Sequence, residues 1–295
     1  MLNGRVRVYA DVVPPSLGQA IHRVKRMLRE YAPPVVEFVE SPRMADLQIL
    51  DIIGTGSLDY LSLPDYVLIQ YCYATTERPE ASFWHPFFRE ARLVMSYYDL
   101  YGLTGRDDFS FYRAPLGVEG SVFYDRGLVR DAAVMTSGYV PAGEAIHECY
   151  EAVFGVLRGR HGGMVHLGPS FWSDGSVEVA EGVSDDRLAT LYSRCRYVSG
   201  LRRGEGFELP VIEGLACGAR PVCFDNPCYR EWFDGHAVFV EELPPRQLVP
   251  QLAEVFRREA APVTPEERAA VLARFDWRRI CTQFWELVLD PGAGD

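Results

Sequence analysis

Lysine is nearly missing from this chain. Of its 30 basic residues only Lys25 is a lysine, and every other one is arginine. The bias runs through the whole sequence, so it reflects coding composition and does not mark a phosphate site. Paired cysteine motifs are also missing. The seven cysteines form no Cys-x-x-Cys, their number is odd, and several lie in apolar runs, which fits reduced, buried thiols in a cytoplasmic protein. No run of 18 apolar residues occurs and the first residues carry no apolar leader, so neither a transmembrane segment nor a standard secretion signal is expected. Positive charge is in deficit: the net charge of −11 gives no general attraction to nucleic acid or anionic lipid, although a local basic patch stays open. His147-Glu148 is followed at 151 by Glu151 and not by a second histidine, so the zinc-helix pattern is absent. The glycines of Gly54-Thr55-Gly56 lack a third, and there is no Gly-x-Ser-x-Gly elbow.

What is present is apolar surface in quantity. At 295 residues, 48% hydrophobic and 24% charged, the chain can bury real cores and is long enough for two α/β domains. "RVRVYA" at 5–10 alternates like a first strand, and "PPVVEFVE", "LQILDII", "YVLIQYCY" and "RLVMSYY" read as further strands. Between them Ile21, Val24, Leu28 and Tyr31 fall on one face of a helix. Arg23, Lys25, Arg26 and Arg29 lie mostly off that face, as a solvated basic face or a phosphate or membrane contact. A second series opens with "AAVMTSGYV" at 132. It continues through a helix around 143–158, "MVHLGP", the helix "SDDRLATLYSRC", "RYVSG", a helix from Pro210, "RPVCFD" and "HAVFVE", and ends in helices over 245–289. Within the last stretch "TPEE" is a capping box, with Thr264 as N-cap, Pro265 at N1 and Glu267 at N3. Strands alternating with helices predict parallel sheets. The expected domains are 1–125 and 126–295, with the last helix a candidate to pack back on the first.

The most informative stretch is "GEGFELPVIEGLACGARPV", residues 204–222. Pro210 suits the first turn of a helix, which Gly218 would end. The N–H groups at the mouth of that helix carry partial positive charge and favour phosphate. Glu213, about one turn in, and Glu205, just ahead of the helix, can accept hydrogen bonds from vicinal hydroxyls on either side. The pattern outlines a sugar nucleotide. A capped helix with two solvated glutamates is the plainer alternative.

The same stretch resembles the signature of the retaining GT-B glycosyltransferases, the group 1 family with a Glu-x7-Glu motif. "VEVAEGVSDDRLATLYSRCRYVSG", "YRAPLGVEGSVF", "RFDWRRIC" and "PPSLGQAIHRVKRML" are similar to other blocks of that family. The resemblance is strong over about 115–290 and weak over 20–115. It implies two Rossmann-like domains facing across a cleft, with a nucleotide sugar held mainly by the second. It also implies transfer of the sugar, with retention, to an acceptor hydroxyl. Carried over position by position, Glu205 is the glutamate at the transferred sugar and Glu213 the one at the ribose. The backbone around Gly206, Phe207, Glu208 and Leu209 meets the sugar or diphosphate, and Gly18 and Gly138 allow close approach of two loops. The family commonly has a histidine near the acceptor, and His85 in "FWHPFF" is the candidate; a histidine packed among aromatics is the alternative.

The chain departs from the family at three places. Position 139 is Tyr139 where arginine is usual, the following lysine is missing, and Glu208 replaces a glycine. Arg202 and Arg203 are candidates to meet the leaving diphosphate instead. No Asp-x-Asp occurs, so the metal-dependent transferase pattern is missing and no metal or cofactor is expected. A UDP- or GDP-sugar is the expected donor. A glycan, a lipid-linked sugar or a modified base in nucleic acid is the expected acceptor. The crowd of aromatics over 83–112 is either core or acceptor groove. A sugar-nucleotide epimerase and an inactive donor-binding relative stay open on the same fold.

Overall fold

The structure is a computed structural model. It describes residues 4–10, 19–52, 55–70, 81–137, 153, 156–157, 163–168, 177–202 and 206–290. The chain divides into two compact units, Met1–Leu116 with Trp277–Asp295, and Gly117–Asp276. The first holds β1 (Val6–Ala10), α1 (Gln19–Glu30), β2 (Val36–Phe38), β3 (Leu47–Ile52) and β4 (Tyr66–Gln70), then α2 (Ala81–Glu90), β5 (Leu93–Ser96), α3 (Leu100–Thr104) and β6 (Phe111–Arg113). The second holds β7 (Ala132–Ser137), β8 (Met164–Leu167), β9 (Val177–Ala180), α4 (Asp185–Arg194) and β10 (Cys195–Gly200). It continues with α5 (Leu209–Ala216), β11 (Arg220–Phe224), α6 (Pro227–Phe233), β12 (Val238–Val240), α7 (Pro245–Arg257) and α8 (Pro265–Arg274). The closing helix α9 (Trp277–Leu289) belongs to the first unit.

Each unit is built on a six-stranded sheet, and every pair of neighbouring strands is parallel. The orders are β2-β1-β3-β4-β5-β6 and β12-β11-β10-β7-β8-β9. Central parallel strands are covered on both faces and are therefore mostly apolar. Accordingly β3, β4, β7 and β11 are buried at every residue. The short edge strands β6 and β9 escape a sequence reading, since three or four residues with exposed members carry little periodicity. The helix expected around 143–158 lies mostly outside the described residues.

The division between units falls nine residues before the expected 125/126, because 117–131 packs on the second unit. Phe123 is fully buried against Tyr192, the Arg126 amide donates to Ser193 Oγ at 3.2 Å, and Arg130 donates to the Cys217 carbonyl at 3.0 Å. In the first unit α9 is held by its own indole. Trp285 Nε1 donates to the Leu28 carbonyl of α1 at 2.9 Å, and Arg92 Nη1 donates to the Val288 carbonyl at 3.3 Å.

Two local expectations change. Lys25 is not on a solvated face: it is only 5% exposed, and its ammonium lies 2.7 Å from Asp51 Oδ2 on β3. Its place between Val24 and Leu28 on the helix carries it inward, and the buried carboxylate supplies the counter-charge that such burial requires. Thr264 does cap α8, its hydroxyl accepting the Glu267 amide at 3.1 Å. The Glu267 carboxylate, however, does not close the box: it accepts from Arg220 Nη2 at 3.0 Å and meets His236 Nδ1 at 3.1 Å. Among the described residues no disulfide forms, and burial pushes the Cys195 and Cys217 thiols up to about 12. No described helix is long and apolar enough to cross a membrane.

Candidate active site

In the second unit the strand order reverses between β7 and β10. Chain progression runs one way from β7 through β8 to β9, and the other way from β10 through β11 to β12. In open parallel sheets a ligand sits beyond the carboxyl ends of the strands at this switch point. Two described points lie there: Ser137, which ends β7, and the connection from Leu201 and Arg202 after β10 to Gly206–Glu208 before α5.

Helix α5 is shaped for that position. It starts at Leu209 with Pro210 in its first turn, where a missing N–H costs nothing. It lies directly on β10: a Cβ at Gly214 would come within 2.8 Å of Val198 Cβ, so only glycine allows this approach. At its far end Gly218 takes φ +86° and closes a Schellman turn. The Ala219 amide donates to the Gly214 carbonyl at 2.8 Å and the Gly218 amide to the Leu215 carbonyl at 3.0 Å. Arg130 Nη2 covers the Cys217 carbonyl, a cation at the negative end of the helix. The carboxyl end of α5 is thus sealed, and its amino end faces the switch point.

Glu213 lies in the second turn and is 2% exposed, with the Tyr192 hydroxyl donating to Oε2 at 3.4 Å. That burial rules out a solvated glutamate at this position. Glu208 is the N-cap by backbone, its carbonyl accepting from Val211 at 3.1 Å and Ile212 at 3.4 Å. Its side chain does not cap the helix. It turns inward, 4% exposed, where Oε1 accepts the Tyr229 hydroxyl and Oε2 lies 3.0 Å from Arg202 Nε, an ion pair outside hydrogen-bond alignment. Burial raises the Glu208 carboxyl above the ordinary range, against the opposing pull of the Arg202 charge and the Tyr229 hydroxyl. Arg202 Nη2 in turn donates to the Ser137 carbonyl at 3.0 Å and to Ser137 Oγ at 3.3 Å.

Phe207 anchors the loop by packing its ring against Trp232, Phe233 and Phe275 at 5.3–5.8 Å. Gly206 and Leu209 are buried beside it. The structure therefore brings Arg202, Gly206, Phe207, Glu208, Leu209 and Glu213 together. Gly18, Gly138, Arg203 and Glu205 lie outside the described residues. His85 belongs to the first unit, on α2. Its Nε2 lies 2.6 Å from Asp108 Oδ1, and Arg89 Nε meets the other Asp108 oxygen at 3.2 Å. Asp108 stands just before β6, at the amino edge of the sheet, opposite to the edge where ligands sit. The pairing gives His85 a tie between α2 and that turn, and holds the Asp108 carboxyl below its usual range. Ser137, Tyr192 and Tyr229 were not legible as site residues. The one sequence signal beside them is Glu208, a departure from the glycine of the family the stretch resembles.

The strand reversal, the helix whose amino end lies beside it and the buried carboxylate one turn inside that helix form the kind of place in which open α/β sheets hold ligands. Residues 149–286 match the glycosyl transferase-like family. Three solved structures agree in fold. Sucrose-phosphate synthase from Thermosynechococcus elongatus is 14% identical, with 99% of this chain and 100% of that chain covered and a TM-score of 0.71. A glycosyltransferase from Rickettsia africae is 10% identical, covering 99% and 100%, with a TM-score of 0.69. Anabaena HepE in complex with UDP-glucose is 12% identical, covering 96% and 99%, with a TM-score of 0.68. No curated protein matches the sequence. The match covers residues 149–286, and the chain as a whole has the two-unit α/β fold of the GT-B type.

Proposed function

We propose that this protein transfers a sugar from a nucleotide diphosphate sugar, a UDP- or GDP-sugar, to an acceptor hydroxyl, with retention of configuration and without a metal ion. The observation that carries the reading is Glu213. It is a carboxylate 2% exposed, one turn inside the amino end of a helix aimed at the switch point. Its carboxylate accepts from the Tyr192 hydroxyl and has acceptor capacity for the vicinal hydroxyls of a ribose as well. The α5 mouth receives the diphosphate through the backbone of 206–209, and Glu205 accepts from hydroxyls of the transferred sugar. HepE, solved with UDP-glucose, supports a uridine donor.

In the reaction the bond from the anomeric carbon to the diphosphate oxygen breaks, and a bond to the acceptor oxygen forms on the same face. The acceptor proton passes to the departing phosphate oxygen. This assigns no protein side chain as nucleophile, and leaves fixed donors at the helix mouth to stabilise the charge that develops on the leaving group. A glycan or lipid-linked sugar is the proposed acceptor.

Thermal unfolding with UDP-, GDP-, ADP- and TDP-sugars tests the donor, since a ligand that binds only the folded form raises the melting temperature. One of them raises the melting temperature of the wild type and leaves that of E213A, read against the variant's own ligand-free value, unchanged. A flat response to all four ends the reading. Turnover unchanged by EDTA, and an anomeric coupling in the product equal to that of the donor, test the other two parts.

A further inference from the structure

The glutamate at 208 does nothing for the helix it begins. Its side chain makes no cap bond, so a smaller residue there would leave α5 equally well started. Burying it nevertheless costs several kcal/mol unless a cation compensates. The compensating cation is Arg202, and its placement is specific. One side of its guanidinium is 3.0 Å from Glu208 Oε2, and Nη2 reaches both the carbonyl and the hydroxyl of Ser137. Arg202 follows β10 and Ser137 ends β7, so this one side chain spans the two strands between which the sheet order reverses. Glu208 is itself fixed by the Tyr229 hydroxyl. Tyr229 is fully buried, and Asn226 Oδ1 holds its amide at 2.9 Å. A fifth of the Arg202 side-chain surface stays open, 20%.

We propose that Glu208, with Tyr229, is a positioning residue that fixes the Arg202 guanidinium across the ends of β7 and β10, so that Arg202 meets the diphosphate of the bound nucleotide sugar. This rests on the donor site proposed above. A leaving diphosphate needs a donor held in place before the charge develops. The Arg202–Glu208 pair is close to neutral, so its contribution is directional N–H donors rather than bulk charge. The α5 amino end adds the partial positive charge. The Glu208 side chain thus acts through Arg202.

Calorimetric titration of UMP and of UDP into the wild type, R202M, E208Q and Y229F distinguishes positioning from simple structural support. In the wild type UDP binds more tightly than UMP. R202M weakens UDP by about tenfold or more, the worth of one charged hydrogen bond, and leaves UMP within about twofold. E208Q and Y229F reproduce that selective loss in smaller degree. Y229F removes one hydroxyl and carries the test if E208Q does not fold. UDP affinity unchanged in R202M, or UMP and UDP weakened alike in E208Q and Y229F, overturns the assignment. Wild type that binds neither UMP nor UDP, nor GMP and GDP in a parallel titration, removes the donor site and this inference with it. Wild type that shows the UDP preference while the variants keep it removes this inference alone.

Discussion

Lys25 and Asp51 show how far a charged side chain can travel from its expected place. The pair is 2.7 Å apart, with the lysine 5% exposed and the aspartate fully enclosed. Removing one partner leaves the other charge uncompensated, which costs about 3–5 kcal/mol. K25M should therefore lower the unfolding free energy by that amount in urea titration, and K25M/D51N should recover part of it. A K25M variant with unchanged urea midpoint would show that the pair is not a core feature. Two tyrosines of the same unit make a pH prediction. Burial pushes the Tyr66 and Tyr112 hydroxyls up from 10 to about 12, and the Tyr66 hydroxyl donates to the Phe87 carbonyl at 3.1 Å. The fold favours their protonated form, so their stabilisation is whole below pH 10 and is lost as pH rises through about 12. Guanidinium unfolding at stepped pH should show that decline in the wild type and a shallower one in Y66F/Y112F.

At the scale of elements, α5 carries the site because its two ends are treated differently. The carboxyl end is closed by the Schellman turn and by Arg130. The amino end begins with proline and a side chain turned away from the mouth. Gly218 is the hinge of the closed end. At φ +86° an L side chain costs about 1–2 kcal/mol, and a Cβ would lie 2.3 Å from Arg130 Nη2. G218A should thus lose about 2 kcal/mol or more by chemical denaturation, through both strain and displacement of Arg130. A loss under half that would mean that Arg130 swings aside without consequence. Helix α2 makes the opposite point about sequence. "FWHPFF" reads as packed core or as part of an acceptor site, and the partner of His85, Asp108, comes from 23 residues further along the chain. Much of the aromatic run is likewise core, since Trp84, Phe88 and Phe109 are buried and in ring contact, Trp84–Phe88 at 6.4 Å and Phe88–Phe109 at 5.3 Å.

For the whole molecule, the chain returns to the unit in which it began. Helix α9 supplies the first unit with Ile280, Phe284, Trp285 and Val288, all buried. Burying such side chains stabilises by about 1.5–3 kcal/mol each, a sum comparable with the stability of a domain. A chain ending at Asp276 should therefore lose the first unit's fold while the second, which closes at that residue, keeps its own. Hydrogen exchange should show amides of β3 and β4 deprotected and those of β10 and β11 still protected. Protection retained in β3 would make α9 an accessory.

What the sequence determined by itself is whatever depends on neighbours a few residues apart. Period and β-branching announced ten of the twelve described strands, and Pro210 and Gly218 bounded α5 to within a residue. Glu205 and Glu213 outlined a sugar-nucleotide reading through spacing alone. Tertiary structure decided what depends on residues far apart in the chain. The reversal of strand order, the burial of Lys25, the turn of Glu208 toward Arg202 and Tyr229, the capture of His85 by Asp108 and the return of α9 all belong here. The reason is physical: backbone propensity and periodicity act within a turn or two, whereas burial and ion pairing are set by whichever distant side chain the folded sheet brings within a few ångströms.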